Sequence, residues 1–552
     1  MATEAGRERA RGGIGWLGWL VLAVAWFATL QVRPMFDPDE GRYAEIPREM
    51  VASGDWLTPR FDGLKYFEKP PLQYWATAAA YSMFGLSEWT SRLWTVGLAF
   101  ACLPMVLGWT RRLYGHNAAL AAVVALAVSP YFGIIGHLDL LDAGFSFWLT
   151  GAVFAFTLAQ SSQMGSRDER RWMLLAWLAA ALAILSKGIV VGVLTGGSLI
   201  VYSLMERDMR PWKRLHLAWG LPLFLLVAAP WFVAVSVRNP DFPEFFFIHE
   251  HFARFLTTTH QRAEPWWFFL PLLVLGVLPW CWVVAGAGIR AWRDTGPNPH
   301  GANPQFKPLR FLLIFAVLTL AFFSASGSKL APYIMPMFPP LAAIVGVHVA
   351  GEESFMRRAA FAVGTIVAIA AVGLLIYSAL HNSFVPQAAI IWAAVAVAAV
   401  LAAALAAGWR QSPGEWVPAV ALAACAAFAW QCLMTAFAVV PPPHSARDLV
   451  AATKPYVHPQ TALYSVGQYR ETISPYLQRT LTVVDFQGEL EFGLHAEPGK
   501  QVATEDEFIA RWDASADAVA FFGPKMWDLY RQRGLPGRVI AADHYTVVVS
   551  RS

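Results

Sequence analysis

Residues 14–45 read IGWLGWLVLAVAWFATLQVRPMFDPDEGRYAE, an apolar run followed at once by two acids, an arginine and a tyrosine. A membrane-spanning helix needs about 20 mainly apolar residues, and the run 14–33 is long enough. Three arginines precede it, as they would in a signal peptide, but no small-residue cleavage site follows. We therefore interpret 14–33 as a retained membrane helix that ends at an acidic segment.

The same apolar pattern recurs along the chain. Of the 552 residues, 57% are hydrophobic and only 14% are charged, and the net charge of +4 gives no indication of nucleic-acid binding. Apolar stretches predict a polytopic α-helical membrane protein with about 13 transmembrane helices. They lie at about 14–33, 89–111, 117–130, 138–160, 171–185, 188–205, 215–236, 266–290, 309–325, 331–350, 357–380, 387–408 and 415–439.

The basic residues predict how these helices are oriented. With the N-terminus in the cytoplasm, every inner loop carries arginine, as the positive-inside rule requires. The short outer loops then hold only Lys187 and Lys329 as basic residues. This orientation places two longer loops, 34–88 and 238–264, and the C-terminus on the outer face.

The composition changes after Pro441-Pro442-Pro443, which reads as a stiff linker. Strands are predicted at 461–466, 481–486, 518–522 and 545–550, and helices at 505–512 and 524–533. The sequence therefore predicts a membrane domain over 1–440, which includes both long outer loops, and a small α/β domain over 441–552.

The acidic segment after the first span contains a candidate site. Asp39 is a suitable N-cap for a helix, and Arg42 and Tyr43 follow at i+3 and i+4, so the three side chains project to one side. Asp37, outside the cap, is expected to be solvated. The alternative is a capped surface helix with no chemical role.

A second candidate is the stretch Lys65-Tyr66-Phe67-Glu68-Lys69-Pro70-Pro71. Pro71 suits the start of a helix, so Lys69 lies near backbone amides that favour phosphate. The alternative is a lysine that extends its ammonium to the membrane surface.

Further charged residues fall on the same predicted face. Asp142 lies a few residues inside a span, where acids are functional more often than structural. Lys187 and Lys329 occupy tight turns, and the loop 238–264 contains His249-Glu250-His251 and Arg254. Each has a structural explanation, but together they predict a polar cavity for an anionic lipid head group.

These motifs resemble a known family. Asp39-Glu40-x-Arg42-Tyr43, Lys69-Pro70-Pro71, Ser186-Lys187-Gly188 and the run from Lys329 through Tyr333 to Pro339 are similar to the aminoarabinose transferases of lipid A modification. Those are membrane glycosyltransferases of the GT-C type, a class that includes protein O-mannosyltransferases. The resemblance covers roughly residues 14–350 by motif and the remainder by architecture only.

The resemblance implies a reaction and a location. The donor would be undecaprenyl-phosphate-linked 4-amino-4-deoxy-L-arabinose and the acceptor a phosphate of lipid A, at the periplasmic face of the bacterial inner membrane, with resistance to polymyxin as the result. Asp39 would be catalytic, and Lys69 and Arg254 would hold the donor phosphate. The other residues implied to bind substrate are Arg42, Tyr43, Tyr66, Asp142, Lys187, Lys329 and Tyr333.

No cofactor is required by this interpretation, but a divalent metal such as zinc is an open possibility. Glu68 with His249 or His251 would supply ligand types that suit zinc, although surface histidines explain the same residues. A related transferase such as a protein O-mannosyltransferase, or a lipid transporter, remains as an alternative. Transporters usually place their charges near the bilayer midplane, whereas here the charges gather at one interface.

Overall fold

The computed structural model describes residues 14–253, 264–293, 302–352, 354–382, 384–409 and 416–551. Within these ranges the chain forms two compact units. The membrane unit comprises Met1–Leu30 and Trp94–Phe437, and the α/β unit comprises Gln31–Leu93 and Ala438–Ser552. Of each unit, the structure describes the residues that fall within the ranges above. The sequence division at 440 stays a prediction, but the structure groups the first long loop with the tail.

The membrane unit is helical throughout the part that the structure describes. Its helices are Trp16–Phe27, Glu88–Tyr114 (which begins in the α/β unit), His116–Ala127, Pro130–Ile135, Leu141–Ser161, Arg167–Lys187, Val190–Glu206, Arg210–Lys213, Leu217–Arg238, Glu244–Ala253, Phe269–Val277, Leu278–Trp280, Cys281–Arg293, Pro308–Ala325, Ala331–Met337, Phe338–His348, Ser354–His381, Gln387–Trp409 and Trp416–Ala438.

Each of the thirteen predicted stretches coincides with a helix. Among the described residues, 9 helices are long and apolar enough to cross a membrane, and three shorter apolar helices accompany them. The helix Arg167–Lys187 is also long, but it is not among these nine, and its first turn contains the charged residues Arg167, Asp168 and Glu169. A polytopic helical fold is therefore confirmed, while the number of crossings stays a prediction.

Small residues let these helices pack closely. The helix His116–Ala127 is buried along most of its length and consists largely of alanine and valine. Opposite it, a Cβ on Gly346 would lie 2.5 Å from the carbonyl oxygen of Ala118, so this crossing requires glycine. Small residues at such crossings permit the van der Waals packing that holds helices together in a membrane.

The first part of the α/β unit comes from the loop after the first span. The helix Asp39–Ser53, here called the site helix, is followed by the short strands β1 (Arg60–Phe61) and β2 (Leu64–Lys65) and by the helix Leu72–Phe84. Asp62 and Gly63 join the two strands with φ values of 54° and 79°. A two-residue Asp-Gly turn suits such a hairpin, because both positions need positive φ.

The tail supplies a mixed sheet. Its strands are β3 (Ala462–Val466), β4 (Thr482–Val484), β5 (Ala518–Phe522), β6 (Arg538–Ala542) and β7 (Val547–Ser550), in the order β4-β3-β5-β7-β6. β3 runs parallel to β4 and β5, whereas β7 runs antiparallel to β5 and β6. The accompanying α-helices are Arg447–Thr453, Ile473–Leu477, Glu491–Ala496, Glu505–Ala514 and Pro524–Gln532, with short 3-10 turns at Lys454–Tyr456, Gly488–Leu490 and Pro498–Lys500.

The core of this sheet confirms the predicted α/β domain. Phe508, Trp512 and Tyr530 from the two longer helices pack on the buried strand β5. The four predicted strands and both predicted helices are present, but β6 was missed. It lies at the sheet edge and is largely exposed, so it lacks the alternation of apolar and polar residues that marks a half-buried strand.

Candidate active site

The first candidate residue, Asp39, is the first residue of the site helix. The prediction that Asp39 is the N-cap is wrong, because Pro38 holds that position and no side chain caps the helix. Instead, Oδ1 of Asp39 accepts a hydrogen bond of 3.1 Å from Nη2 of Arg42, one turn further on. The side chain of Asp39 is still 40% exposed, so a substrate can reach its carboxylate.

Arg42 links three groups of the α/β unit. Its Nη2 also lies 2.5 Å from Oε2 of Glu489, and its Nη1 donates to the Tyr66 hydroxyl at 3.4 Å. Burial alone would lower the pKa of Arg42, but Tyr66, Glu489 and Asp39 raise it well above its usual value. The guanidinium is therefore a permanent cation shared by two carboxylates, only one of which it can fully neutralise.

Two tyrosines border this cluster. The ring of Tyr43 lies 5.7 Å from the Arg42 guanidinium carbon and stacks on Tyr74 with ring centroids 6.2 Å apart. Tyr66 is buried, and burial raises its pKa well above the usual value, so it remains a neutral phenol. The structure thus brings Asp39, Arg42 and Tyr43 together, as predicted from their spacing, and it places Tyr66, which only the family resemblance implied, beside Arg42.

Glu40, next to Asp39, fixes the start of the site helix from its buried side. Its carboxylate accepts hydrogen bonds of 2.7 and 2.9 Å from Arg33, two of 2.9 Å from Arg92 and one of 2.8 Å from the Phe36 amide. Burial opposes its ionisation, but the two guanidiniums outweigh burial and lower the pKa of Glu40 below its usual range. A buried carboxylate with this many charge-assisted hydrogen bonds holds the backbone at the start of the site helix in place, and Asp39 is part of that backbone.

Lys69 lies near Glu68 in the same unit. Its Nζ donates to the Glu68 carbonyl oxygen at 2.9 Å and lies 3.8 Å from Oε2 of that residue. The helix Leu72–Phe84 begins three residues later, with Pro71 as its N-cap. Binding of phosphate by Lys69 stays a prediction.

In the membrane unit, three of the predicted residues form their own cluster. Lys187 pairs with Asp142, and both side chains are nearly buried. The ammonium of Lys187 also lies 4.2 Å from the ring centroid of Tyr333. A buried charge that loses its partner destabilises the fold. Asp142 and Lys187 therefore each neutralise the other inside this unit.

Lys329 makes a different set of contacts. Its Nζ donates to the carbonyl oxygens of Ser326 at 2.6 Å and Glu264 at 2.9 Å, and the residue is 6% exposed. These bonds close the turn after the helix Pro308–Ala325. Its predicted role in binding substrate is not tested by them.

The predicted metal ligands belong to different units, Glu68 to the α/β unit and His249 to the membrane unit. The His249 ring is about half exposed, stacks on Phe245, and has its Nδ1 3.7 Å from Glu250 Oε1. Within the described ranges, no group of three or more His, Cys, Asp or Glu side chains is placed to hold a metal ion. The metal stays a prediction, and Arg254 lies outside the described residues.

Two parts of this arrangement were not predicted from the sequence. Glu489 lies in no recognisable sequence motif. Its sequence context does not distinguish it from the nearby Glu491, which is exposed. Asp37 was expected to be solvated, but it pairs with Arg470 of the tail at 2.7 Å. Both contacts join segments more than 400 residues apart, a range at which residue spacing carries no information.

A many-helix membrane region followed by a small α/β domain, with a partly exposed carboxylate beside a buried arginine, is the organisation of a GT-C membrane glycosyltransferase. The family model of dolichyl-phosphate-mannose-protein mannosyltransferases matches residues 20–246, and that of the aminoarabinose transferase C-terminal domain matches residues 449–551. The chain belongs to the aminoarabinose transferase family of GT-C enzymes, which is related to the protein O-mannosyltransferases.

Individual relatives support this membership. An undecaprenyl phosphate-alpha-4-amino-4-deoxy-L-arabinose arabinosyl transferase of Erwinia tasmaniensis is 32% identical over 70% of this chain and 71% of its own length. The corresponding transferase 1 of Sodalis glossinidius is 35% identical over 61% of this chain, an alignment that spans 59% of that relative. The crystal structure of ArnT from Cupriavidus metallidurans bound to undecaprenyl phosphate superimposes with a TM-score of 0.87, 32% identity and 97% coverage of both chains.

Proposed function

We propose that this protein transfers 4-amino-4-deoxy-L-arabinose from undecaprenyl phosphate to a phosphate group of lipid A. The observation that carries the proposal is the partly exposed Asp39 carboxylate, held by Arg42, in a chain that matches an undecaprenyl-phosphate-bound relative over 97% of its length. The curated relatives are named for the same donor. The lipid A acceptor rests on the resemblance of the motifs alone.

The proposed reaction needs little acid–base chemistry. The bond between the anomeric carbon and the donor phosphate oxygen breaks, and an oxygen of the acceptor phosphate forms the new bond to that carbon. Undecaprenyl phosphate leaves with the bonding electrons, and nearby cations stabilise the charge that develops on it. Because the acceptor phosphate is already ionised, Asp39 orients the reactants or stabilises positive charge at the anomeric carbon.

The cations of the α/β unit suit the donor phosphate. Lys69 is partly exposed beside Glu68, and a lysine is a suitable point charge for phosphate. Arg42 is already shared by Asp39 and Glu489, so it holds the catalytic carboxylate. We assign donor-phosphate binding to Lys69, together with the predicted contribution of Arg254, and orientation of Asp39 to Arg42.

The location proposed for this reaction is the periplasmic face of the bacterial inner membrane. The distribution of arginine among the predicted loops supports a cytoplasmic N-terminus and a periplasmic tail. Attachment of a positively charged amino sugar reduces the negative charge of lipid A. Cationic peptides such as polymyxin would then bind the surface more weakly. Each basic group near an anionic membrane surface contributes about 1 kcal/mol of attraction, and part of this attraction would be lost.

A protein O-mannosyltransferase is the second candidate, since its family model matches residues 20–246. The tail favours the first function, because residues 449–551 match the C-terminal domain of aminoarabinose transferases. Purified enzyme offered both donors and both acceptors separates the two activities. Transfer of mannose to peptide, without transfer of aminoarabinose to lipid A, would select the mannosyltransferase.

The central test is Asp39→Asn. The amide keeps the volume but removes the negative charge, so transfer of aminoarabinose to lipid A should fall roughly 100-fold or more. Mass spectrometry of lipid A from cells and transfer by purified enzyme both measure this loss. Asp448→Asn is the matched control, because the Asp448 side chain is 97% exposed in the same unit. Full activity of Asp39→Asn would contradict the proposal.

A further inference from the structure

We infer that the tail, residues 441–551, is a positioning element for Asp39 and that Arg470 is the residue through which it acts. The inference rests on the proposed function, which gives Asp39 its role in the reaction. It assigns the tail a task that the family relationship leaves open. A series of contacts joins the tail to residues 35–42, all within the α/β unit.

The strongest contact is at Asp37, two residues before Asp39. Nε of Arg470 donates to Oδ2 of Asp37 at 2.7 Å, and the Thr472 amide donates to Oδ1 at 2.9 Å. The Asp37 amide in turn donates to the carbonyl oxygen of His444 at 2.9 Å. Both the side chain and the backbone of Asp37 are therefore held by the tail.

Arg470 is itself fixed from within the tail. Its Nη1 lies 2.5 Å from Oδ2 of Asp543, and its guanidinium carbon lies 5.7 Å from the ring of Tyr545. The Arg470 side chain is only 8% exposed. A buried guanidinium tied to one carboxylate in its own sheet region and to another before the site helix cannot move without breaking a buried pair.

The site helix also touches the tail backbone directly. A Cβ on Gly41 would lie 2.5 Å from the carbonyl carbon of Glu471 and 2.6 Å from the Thr472 nitrogen. Only glycine permits this approach, because backbone atoms cannot shift as a flexible side chain can. The first turn of the site helix is thus packed against the same tail segment that contains Arg470 and Thr472.

Contacts on both sides of Asp39 complete the series. Before it, the Met35 amide donates to the Tyr476 hydroxyl at 2.8 Å. After it, Arg42 pairs with Glu489 at 2.5 Å. The Asp39 carboxylate itself contacts Arg42 and is partly exposed, so the tail sets the position of Asp39 and leaves its carboxylate for substrate.

A positioning role predicts a specific kinetic pattern. Loss of the Arg470–Asp37 contact should displace Asp39 without removing any group proposed to bind donor. Because small displacements of a reacting group lower rates by up to about 100-fold, kcat should fall 10- to 100-fold while KM for the donor changes less than about threefold. A merely structural role would lower the amount of folded enzyme and leave kcat per folded molecule unchanged.

The experiment uses the full-length enzyme in detergent with undecaprenyl-phosphate aminoarabinose and lipid A. The variants are Arg470→Gln, Asp37→Asn and the double variant, with kcat expressed per folded molecule. Arg479→Gln is the matched control, because the Arg479 guanidinium donates to the tail carbonyls of His458 and Thr461 and so lies within the tail. Arg470→Lys, which keeps the charge but not the forked geometry, should recover part of the lost kcat.

The double variant decides whether the two residues act together. If Arg470 acts through Asp37, the double variant should lose no more kcat than the worse single variant. Unchanged kcat in Arg470→Gln, an equal loss in Arg479→Gln, or losses that multiply in the double variant would each overturn the inference. If Arg470→Gln does not fold, the nearly isosteric Asp37→Asn alone decides, with unchanged kcat as the contrary result. An inactive wild type would instead overturn the proposed function.

Discussion

At the scale of single residues, the main feature of the candidate site is that two carboxylates, those of Asp39 and Glu489, share the guanidinium of Arg42. Arg42 faces Asp39 at 3.1 Å and Glu489 at 2.5 Å through the same nitrogen, and it reaches Tyr66 through the other. The planar fork of arginine can serve all three groups at once, whereas the ammonium of lysine is a single point charge. The identity of this residue, as well as its charge, therefore matters for the orientation of Asp39.

Arg42→Lys should lower turnover by roughly 10-fold or more, because lysine cannot hold Asp39 and Glu489 in the same geometry. Steady-state transfer of aminoarabinose to lipid A measures the change. Arg60→Lys serves as the control, since Arg60 pairs with Glu497 in the same unit and is partly exposed. Equal turnover of Arg42→Lys and wild type would show that charge alone suffices.

At the scale of elements, the site helix carries a buried group of acids behind its catalytic end. Glu45 is paired with Arg48 at 2.7 Å, and Glu49 accepts from the Gly63 amide at 2.9 Å. Asp62, in the hairpin, accepts from Ser474 and Leu481 of the tail at 3.1 and 2.8 Å. The carboxyl groups of Glu45, Glu49 and Asp62 thus link the site helix, the hairpin and the tail. Arg48 supplies a positive charge beside them.

These acids predict a dependence of stability on pH. Burial raises the pKa of Glu45 to about 7 and those of Glu49 and Asp62 to about 8, and repulsion among the three contributes. The folded state therefore binds more protons than the unfolded state, so this stabilisation is complete below the usual carboxyl pKa and is lost as pH rises through 7 to 8.

The unfolding temperature should accordingly fall as pH rises from about 5 to 9, and Glu49→Gln should reduce the slope because the amide needs no proton. Thermal unfolding of the purified protein in detergent, followed by near-UV circular dichroism, measures both curves. Glu491→Gln, at an exposed position, should leave the slope unchanged. A flat profile, or one that rises with pH, would mean that the three acids are ionised in the folded protein.

For the whole molecule, the proposed function requires the site helix and the tail on the same side of the membrane. The compact α/β unit contains both, since residues 31–93 and 438–551 pack together. The positive-inside distribution predicts that this side lies outside the cytoplasm. The loop between the helices Leu141–Ser161 and Arg167–Lys187 should then face the cytoplasm.

Cysteine labelling tests this orientation. In a chain whose four native cysteines are replaced by alanine, a membrane-impermeant maleimide should label Ala52→Cys and Asp513→Cys in spheroplasts. Gln163→Cys should react only after the membrane is permeabilised, because its loop is predicted to be cytoplasmic. All three positions are exposed in the structure. Labelling of Ala52→Cys and Asp513→Cys from opposite sides would be incompatible with one compact unit.

Local patterns predicted much of this architecture. Apolar length located the helices of the membrane unit, and the strands predicted in the tail include four of the five in its sheet. Spacing of three and four residues predicted the grouping of Asp39 with Arg42 and Tyr43. The same reasoning was wrong about the helix cap, because the Asp39 carboxylate bonds to Arg42 instead of to the backbone amides.

The sequence by itself determined the membrane helices, the α/β tail and the acidic segment at the end of the first span, since these depend on hydrophobic length and on neighbours within one turn. Only the tertiary structure decided that the tail holds this segment through Arg470 and Glu489. Such contacts depend on the three-dimensional path of the chain, because a carboxylate and a guanidinium pair when folding buries them together, whatever their separation in sequence.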